Sequence, residues 1–356
     1  MIKKIIFTSG GTGGHIFPAI NLMNFFYNKG YSVVLVTDNR GNSFLKNHTN
    51  LKSNIIKTDT LTNKKFFKKI FAFIKITFAI FKSILILKKE KPNLVIGFGG
   101  YVSFPICFAT KFFNIPLVIY ENNMIIGKAN KKLMYLSKKI LLSKKINNLS
   151  KIYENKTFIV GDILKEEILN LSKHKKNNNI FSILVLGGSQ GAEVFGKVIP
   201  DAIKIIKEKG YKIEINQQCI SNQELMLVNF YNKNNIKNNI FTFSPDLVKL
   251  YSLVDLAITR SGASTTAELL HTKTPFIAVP YPHSIDDHQY LNAKYYEDLG
   301  CCWVIKQDNF NKENLSKLMI SILSDKKKLI NIQTKMKENI INNVYDKVED
   351  ALKEFI

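Results

Sequence analysis

The stretch KKIIFTSGGTGGHIFPA, residues 3–19, decides how this chain folds. A short apolar run of strand type breaks into Gly10-Gly11-Thr12-Gly13-Gly14, and helical spacing begins at His15. Glycines at such a junction leave backbone N–H groups bare at a helix N-terminus, where a diphosphate can sit. FSILVLGGSQGA, residues 181–192, repeats the arrangement in the second half. Two such turns imply two nucleotide-binding-type domains, and 356 residues are long for a single core. A substrate is then expected in the cleft between them.

Outward from the first turn the pattern alternates: strand 3–8, helix 15–29, strand 32–37, a basic helix 64–89, strand 93–97, helix 103–113 and strand 116–120. The second half restarts with strand 181–186, helix 191–209, strand 211–216, helix 222–232 and strand 239–243. It continues with helix 246–252, strand 255–259, helix 263–271 and strand 275–279. Alternation of this kind means parallel strands joined by crossover helices, hence an α/β chain of two Rossmann-like, doubly wound domains. The boundary falls between Gly161 and the polar run HKKNNN, residues 174–179. Drawn at 162/163, it gives domains 1–162 and 163–340. The Lys/Asn-rich tail after 325 has helical spacing, which leaves open the domain it packs on.

Composition narrows the function. The net charge of +23 comes almost wholly from lysine, since Arg40 and Arg260 are the only arginines. Many Asn and Ile accompany it, which points to a bias in base composition. No base-reading helix or aromatic stacking motif goes with the lysines, so nucleic acid is not an expected partner. An anionic lipid surface or a phosphorylated substrate fits the charge. Cys107, Cys219, Cys301 and Cys302 lack CxxC spacing, which argues against a disulfide framework or a structural metal. MIKKIIFTSGG has too short an apolar run for a signal peptide, and export is not expected.

KKFFKKIFAFIKITFAIFKSILILKK, residues 64–89, is the other unusual stretch. Lys68, Lys75, Lys82 and Lys89 recur every seven residues. With Ala72 and Ala79 they read as one narrow polar stripe on a helix otherwise made of Phe, Ile and Leu. A spanning helix is opposed by Lys75 near the centre, at about 2.5–3.5 kcal/mol on the insertion scale, with Lys68, Lys69 and Lys82 adding more. A core crossover helix with a lysine edge would account for the pattern. The preferred expectation is a membrane-surface face, with apolar side chains dipping into the interface and lysines snorkelling to anionic headgroups.

Several residues could do chemistry. Ile16 stands where a dinucleotide fingerprint needs its third glycine, so NAD is disfavoured, although Asp38 after the second strand could hold a ribose. No Walker Lys-Ser/Thr follows either turn. His15 is a candidate general base, because the positive end of the helix dipole opposes a second proton on its ring; the alternative is a plain helix-start position. Glu121 stands at a strand's carboxyl end, where open α/β sheets hold ligands, as a second carboxylate or a surface acid. Arg260 to Glu268 follows a strand and opens a helix. Free amides and hydroxyls there suit a phosphate, and Glu268 suits both hydroxyls of a ribose, with simple capping as the alternative. The loop 280–293 brings Asp286, Asp287, His288 and Gln289 to the same cleft. His283 and His288 around two Asp match no standard ligand set, so no metal is expected, and with NAD disfavoured no cofactor is called for.

In register, GGTGGHIFPA (10–19), GFGGYVSFP (97–105), YENN (120–123), GGSQGA (187–192), SGASTTAE (261–268) and PYPHSIDDHQYLNA (280–293) resemble the motifs of one family. It is the MurG family, glycosyltransferases that add N-acetylglucosamine to the lipid-linked muramoyl-pentapeptide precursor of peptidoglycan. The resemblance covers essentially the whole chain. It implies the glycosyltransferase B architecture, with an acceptor domain first, a UDP-sugar domain second, and a C-terminal helix near 341–356 returning to the first. By motif, Thr12, Gly13, Gly14 and Asn123 would contact the donor sugar and diphosphate. Ser189 with Ala263, Ser264, Thr265, Thr266 and Ala267 would hold phosphate and ribose, Glu268 the ribose hydroxyls, and Gln289 the sugar. His15 matches the family's general-base position with Glu121 nearby, and Tyr101 in the loop 97–103 matches the acceptor side. The family's basic-rimmed apolar patch corresponds to 64–89, which implies peripheral attachment to the cytoplasmic face of the inner membrane.

Two positions depart from the pattern. Gly161-Asp162-Ile163-Leu164-Lys165 stands where the family carries Gly-Asn-Pro-Val-Arg, so Lys165 offers a diphosphate a point charge in place of a bidentate fork. Ser244 stands where a hydrophobic residue often faces the uracil. The implied reaction is an inverting transfer from UDP-N-acetylglucosamine to the C4 hydroxyl of undecaprenyl-diphospho-N-acetylmuramoyl-pentapeptide. Its rivals are a transferase acting on another lipid such as diacylglycerol, a UDP-N-acetylglucosamine 2-epimerase, and a non-catalytic UDP-sugar- or lipid-binding subunit.

Overall fold

In a computed structural model the chain forms two compact units, residues 1–164 with 341–356, and residues 165–340. The described residues are 2–11, 13–45, 48–59, 66–146, 149–171, 180–188, 191–244 and 247–356, with backbone alone at 66–69. Thr12, Ser189 and the polar run 174–179 lie outside them.

Among the described residues the first unit is built on seven parallel strands: β1 (Lys4–Thr8), β2 (Ser32–Thr37), β3 (Lys52–Ile55), β4 (Leu94–Gly97), β5 (Leu117–Glu121), β6 (Lys139–Leu142) and β7 (Thr157–Ile159). Their order is β3-β2-β1-β4-β5-β6-β7. The central strands are apolar on both faces because helices cover both: Phe7 packs with Phe26 and Phe98 on one side, Ile6 with Val34 and Ile119 on the other. β3 is absent from the sequence reading. Its KSNI has no apolar alternation, and it pairs at the sheet edge through its backbone alone, Val34 standing opposite Lys52.

The long helix Phe66–Glu90 corrects one expectation. Ala72 and Ala79 do not share an outward stripe with the lysines; together with Ser83, Ile86 and Leu87 they form the buried face. Small residues in its N-terminal two-thirds let this helix lie close against its neighbour Ser103–Ala109, and most of the aromatic side chains are left outside. Phe71, Phe73, Phe78, Phe81 and Leu85 are between 63% and 71% exposed.

Residues 341–356 belong to the first unit. The helix Val344–Leu352 places Val344, Val348 and Leu352 in the same cluster as Phe7, Phe26 and Val160, and the Tyr345 ring stacks on Phe25 at 4.8 Å. Gly161 makes room: its φ of +101° suits glycine, and a Cβ there would lie 2.8 Å from the Val344 Cγ2.

Among the described residues the second unit has six parallel strands: β8 (Phe181–Leu186), β9 (Ile213–Gln218), β10 (Lys237–Phe241), β11 (Leu256–Thr259), β12 (Phe276–Ala278) and β13 (Cys302–Val304). Their order is β10-β9-β8-β11-β12-β13. The four cysteines are all buried and free.

Leu352 is fully buried, so Leu352→Ala should cost about 2–5 kcal/mol of first-unit stability through the cavity it leaves. Denaturant unfolding followed by near-ultraviolet circular dichroism measures it, and a cost below about 1 kcal/mol would mean that this helix is not part of the core.

Candidate active site

In a doubly wound sheet the strand order reverses at one pair of strands, and a crevice opens beyond their carboxyl ends. The pair is β1 and β4 in the first unit, β8 and β11 in the second. Each glycine-rich turn follows one member of its pair.

In the first unit the turns after β1 and β4 abut. The Gly10 N–H donates to the Gly99 carbonyl at 3.1 Å, and a Cβ on Gly100 would lie 2.9 Å from the Gly10 Cα. Gly99 and Gly100 have φ of +87° and +78°, which glycine adopts without strain. Half-buried His15, in the first turn of the helix Gly13–Asn28, lies at this junction; a Cβ on Gly99 would come 3.4 Å from its Cε1. Tyr101 stands on the same loop, 44% exposed, and its hydroxyl donates to Asp38 Oδ2 at 3.1 Å. Burial, with the negative Asp38 beside it, raises the pKa of this phenol. Asp38 Oδ1 accepts from the Gly41 N–H at 2.7 Å and so caps the helix Asn39–Ser43, which accounts for this acid without a ribose.

Glu121 requires a correction. It is 1% exposed, which removes the surface-acid reading, and both of its oxygens are occupied. Oε1 accepts from the backbone N–H of Asn123 at 3.1 Å and from its Nδ2 at 2.9 Å. Oε2 accepts from the Gly127 N–H at 2.9 Å and from Asn130 Nδ2 at 3.0 Å. With four donors on it, Glu121 organises the loop 121–130, and Asn123 with it; it does not offer an open carboxylate to a reacting hydroxyl. Asp162 forms a buried ion pair with Lys144 at 2.6 Å, so this acid comes with its own counter-charge.

In the second unit, Gly262 precedes the helix Ala263–His271. The Thr266 N–H donates to the Gly262 carbonyl at 3.1 Å, so only the amides of Ala263, Ser264 and Thr265 stay outside the helical ladder. Thr266 is fully buried, its hydroxyl bonded back to the carbonyls of Gly262 and Ala263, and Ala267 is 1% exposed. Those two do not face a ligand. Half-buried Glu268 accepts from the buried Tyr251 hydroxyl at 2.7 Å through Oε2. Burial pushes its carboxyl above the usual range, while the Tyr251 hydrogen bond and the Lys165 charge pull it back. Lys165 is exposed and precedes the short helix Glu166–Leu169.

The polar loop is held from below. Arg260, 8% exposed, donates to the carbonyls of Val279 and Pro280 at 3.0 and 3.2 Å and to Gln307 Oε1 at 2.6 Å. Its guanidinium lies 5.0 Å from the Phe195 ring and 5.4 Å from Tyr281. Gln289 Oε1 accepts from the Tyr281 N–H at 3.0 Å, and Asp286 and Asp287 both adopt left-handed φ, +52° and +54°. Ser244 is half-buried and follows Phe243, which is 78% exposed. The anchoring roles of Tyr251 and Arg260 escaped the sequence reading, since no spacing links Tyr251 to Glu268.

Residues 5–142 match the glycosyltransferase family 28 N-terminal domain, and residues 182–351 match the glycosyltransferase family 28 C-terminal domain. The chain is 36% identical over 337 residues to the UDP-N-acetylglucosamine--N-acetylmuramyl-(pentapeptide) pyrophosphoryl-undecaprenol N-acetylglucosamine transferase of Rickettsia bellii, with 93% of each chain covered. It is 34% identical over 362 residues to the protein of the same name from Pelagibacter ubique, covering 99% of this chain and 100% of that one. Among solved structures it is similar to the crystal structure of Acinetobacter baumannii MurG, with a TM-score of 0.80 at 26% identity over 99% of both chains.

The Glu268 environment gives a signed prediction. Its carboxyl should titrate above the ordinary carboxylate range in the free protein. Tyr251→Phe should raise it further, because it removes the bond that favours the charged form. Carboxyl-carbon NMR read against Glu268→Gln follows both steps; a downward shift in Tyr251→Phe would contradict the arrangement.

Proposed function

The chain belongs to glycosyltransferase family 28, in its MurG branch, and we propose that it transfers N-acetylglucosamine from UDP-N-acetylglucosamine to the C4 hydroxyl of undecaprenyl-diphospho-N-acetylmuramoyl-pentapeptide. The observation that carries this reading is similarity along nearly the full length, at 34–36% identity, to relatives named for that transfer. It is supported by two parallel sheets that each bring a glycine-rich turn to their switch point.

The step is a single displacement. His15 takes the proton of the C4 hydroxyl, whose oxygen bonds to the anomeric carbon as the bond from that carbon to the diphosphate oxygen breaks. UDP departs with the electron pair, and the α-linked donor yields a β-linked product. The three open amides at Ala263–Thr265 and the N-terminal end of that helix favour the negative charge of the diphosphate. Glu268, held by Tyr251, keeps one oxygen for the ribose hydroxyls, and Lys165 adds charge nearby. The Glu121 network holds Asn123 for the donor sugar.

We propose further that the first unit lies on the cytoplasmic face of the inner membrane through the outer face of the helix Phe66–Glu90. By length and composition Ile70–Glu90 could cross a bilayer. Its Ala72–Ala79–Ser83 face is instead packed in the unit, as fits a helix that lies along a membrane surface. Exposed Phe112 and Phe113 sit on the turn that contacts the same helix, and Lys75 and Lys82 rim the patch for anionic headgroups.

Two measurements test these readings. With labelled UDP-N-acetylglucosamine and the lipid-linked acceptor, the protein should form the glycosylated lipid and His15→Ala should lose roughly 10²–10⁴-fold in kcat. Glycosylated diacylglycerol alone, or donor epimerised without acceptor, would replace the proposal with one of its rivals. In flotation with phosphatidylglycerol-containing vesicles, Phe78→Glu with Phe81→Glu should weaken binding at least about tenfold and leave turnover of a short-chain acceptor unchanged. Undiminished flotation would remove this face from membrane attachment.

A further inference from the structure

Pro18 lies inside the helix Gly13–Asn28. Proline has no N–H, so the carbonyl four residues back, that of Gly14, loses its helical donor, and the pyrrolidine ring crowds it. That carbonyl is nevertheless bonded. Nδ2 of Asn122, the first residue after β5, donates to it at 2.5 Å. Asn122 is 5% exposed and held on its other sides: Oδ1 accepts from Asn123 Nδ2 and its backbone carbonyl from the Ser143 hydroxyl, both at 3.1 Å. A side chain from one strand end thus replaces an intrahelical bond of another element, at the residue next to His15.

We propose that Asn122 is a positioning residue for the transfer: by supplying the hydrogen bond that Pro18 removes, it fixes the Gly14 peptide and hence the direction of the His15 imidazole. The inference rests on the reading of His15 as the base. Gly13 and Gly14 have no side chains to hold this peptide by packing, and glycine rotates through both signs of φ at little cost. A helix with an ordinary residue at 18 would bond the Gly14 carbonyl along its own axis. Here the bond runs to the loop that Glu121 organises, so the His15 turn and Asn123 are fixed in one frame. Asn122 acts through His15.

The test is a rescue cycle read in kcat. Asn122→Leu keeps the volume and removes the donor together with the Oδ1 acceptor of Asn123, which Glu121 still holds by two bonds; it should lower kcat roughly 10–100-fold, as a misdirected base does, with KM for UDP-N-acetylglucosamine within about threefold of the parent. Pro18→Ala restores an N–H that can bond the Gly14 carbonyl, so Asn122→Leu combined with Pro18→Ala should regain most of the loss. A packing role for Asn122 would not be rescued this way. Unchanged kcat in Asn122→Leu, or a double variant no faster than Asn122→Leu beside an active Pro18→Ala, overturns the proposal. Should Pro18→Ala itself be inactive, Asn122→Asp decides, because it sets an acceptor against the carbonyl. A kcat below that of Asn122→Leu supports the clamp, and an equal or higher one overturns it. Retained activity in His15→Ala would overturn the base reading and this inference with it; loss there beside an unaffected Asn122→Leu overturns this inference alone.

Discussion

The constraint on which the rest depends is the reversal of strand order in each parallel sheet. Right-handed crossovers send the chain to opposite faces on either side of β1/β4 and of β8/β11, which opens a crevice beyond the carboxyl ends of those pairs. Backbone amides emerge there from glycine-rich turns and helix starts. The close approach of Gly10 to Gly100 follows directly, as does the run of open amides at Ala263–Thr265. The candidate functional groups are what a parallel sheet leaves uncovered at its switch point, extended by His15 in one unit and Glu268 in the other.

Much of this was legible because glycine and strand-type runs are local signals. The turns at 10–14 and 187–192, the strands before them and the helix at Ala263 can be read from a window of a dozen residues. What escaped depends on partners distant in sequence. Glu121 reads as a second carboxylate or a surface acid until Gly127 and Asn130 are folded onto it; Tyr251 has no visible tie to Glu268, and Asn122 none to Gly14. β3 was missed because an edge strand needs only one apolar neighbour and KSNI has little alternation to show. The motif reading also overstated Thr266 and Ala267, since only the first turn of a helix has amides to give.

Periodicity misled in a more instructive way along Phe66–Glu90. Counting apolar residues places Ala72 and Ala79 on the polar edge with the lysines. The fold buries them instead: Ala72, Ala79 and Ser83 let two helices approach closely, and aromatic side chains such as Phe71, Phe73, Phe78 and Phe81 are turned outward. Along 72–83 the buried positions are the small ones, with Ile86 and Leu87 continuing the face, a pattern that hydropathy alone does not show. The buried charges follow a similar logic. Glu121, Asp162 and Arg260 are each supplied with donors or acceptors from nearby loops, so each fixes a loop in place.

The return of the tail to the first unit bears on how the nascent chain acquires its structure. The strands of that unit leave the ribosome first, yet the side chains that close over Phe7, Phe26 and Val160 arrive only after all of 165–340 has been translated. Throughout that interval a greasy flank of the early sheet stands open, the kind of surface on which chaperones act and from which aggregation starts. The half that matures last is therefore the half that is made first.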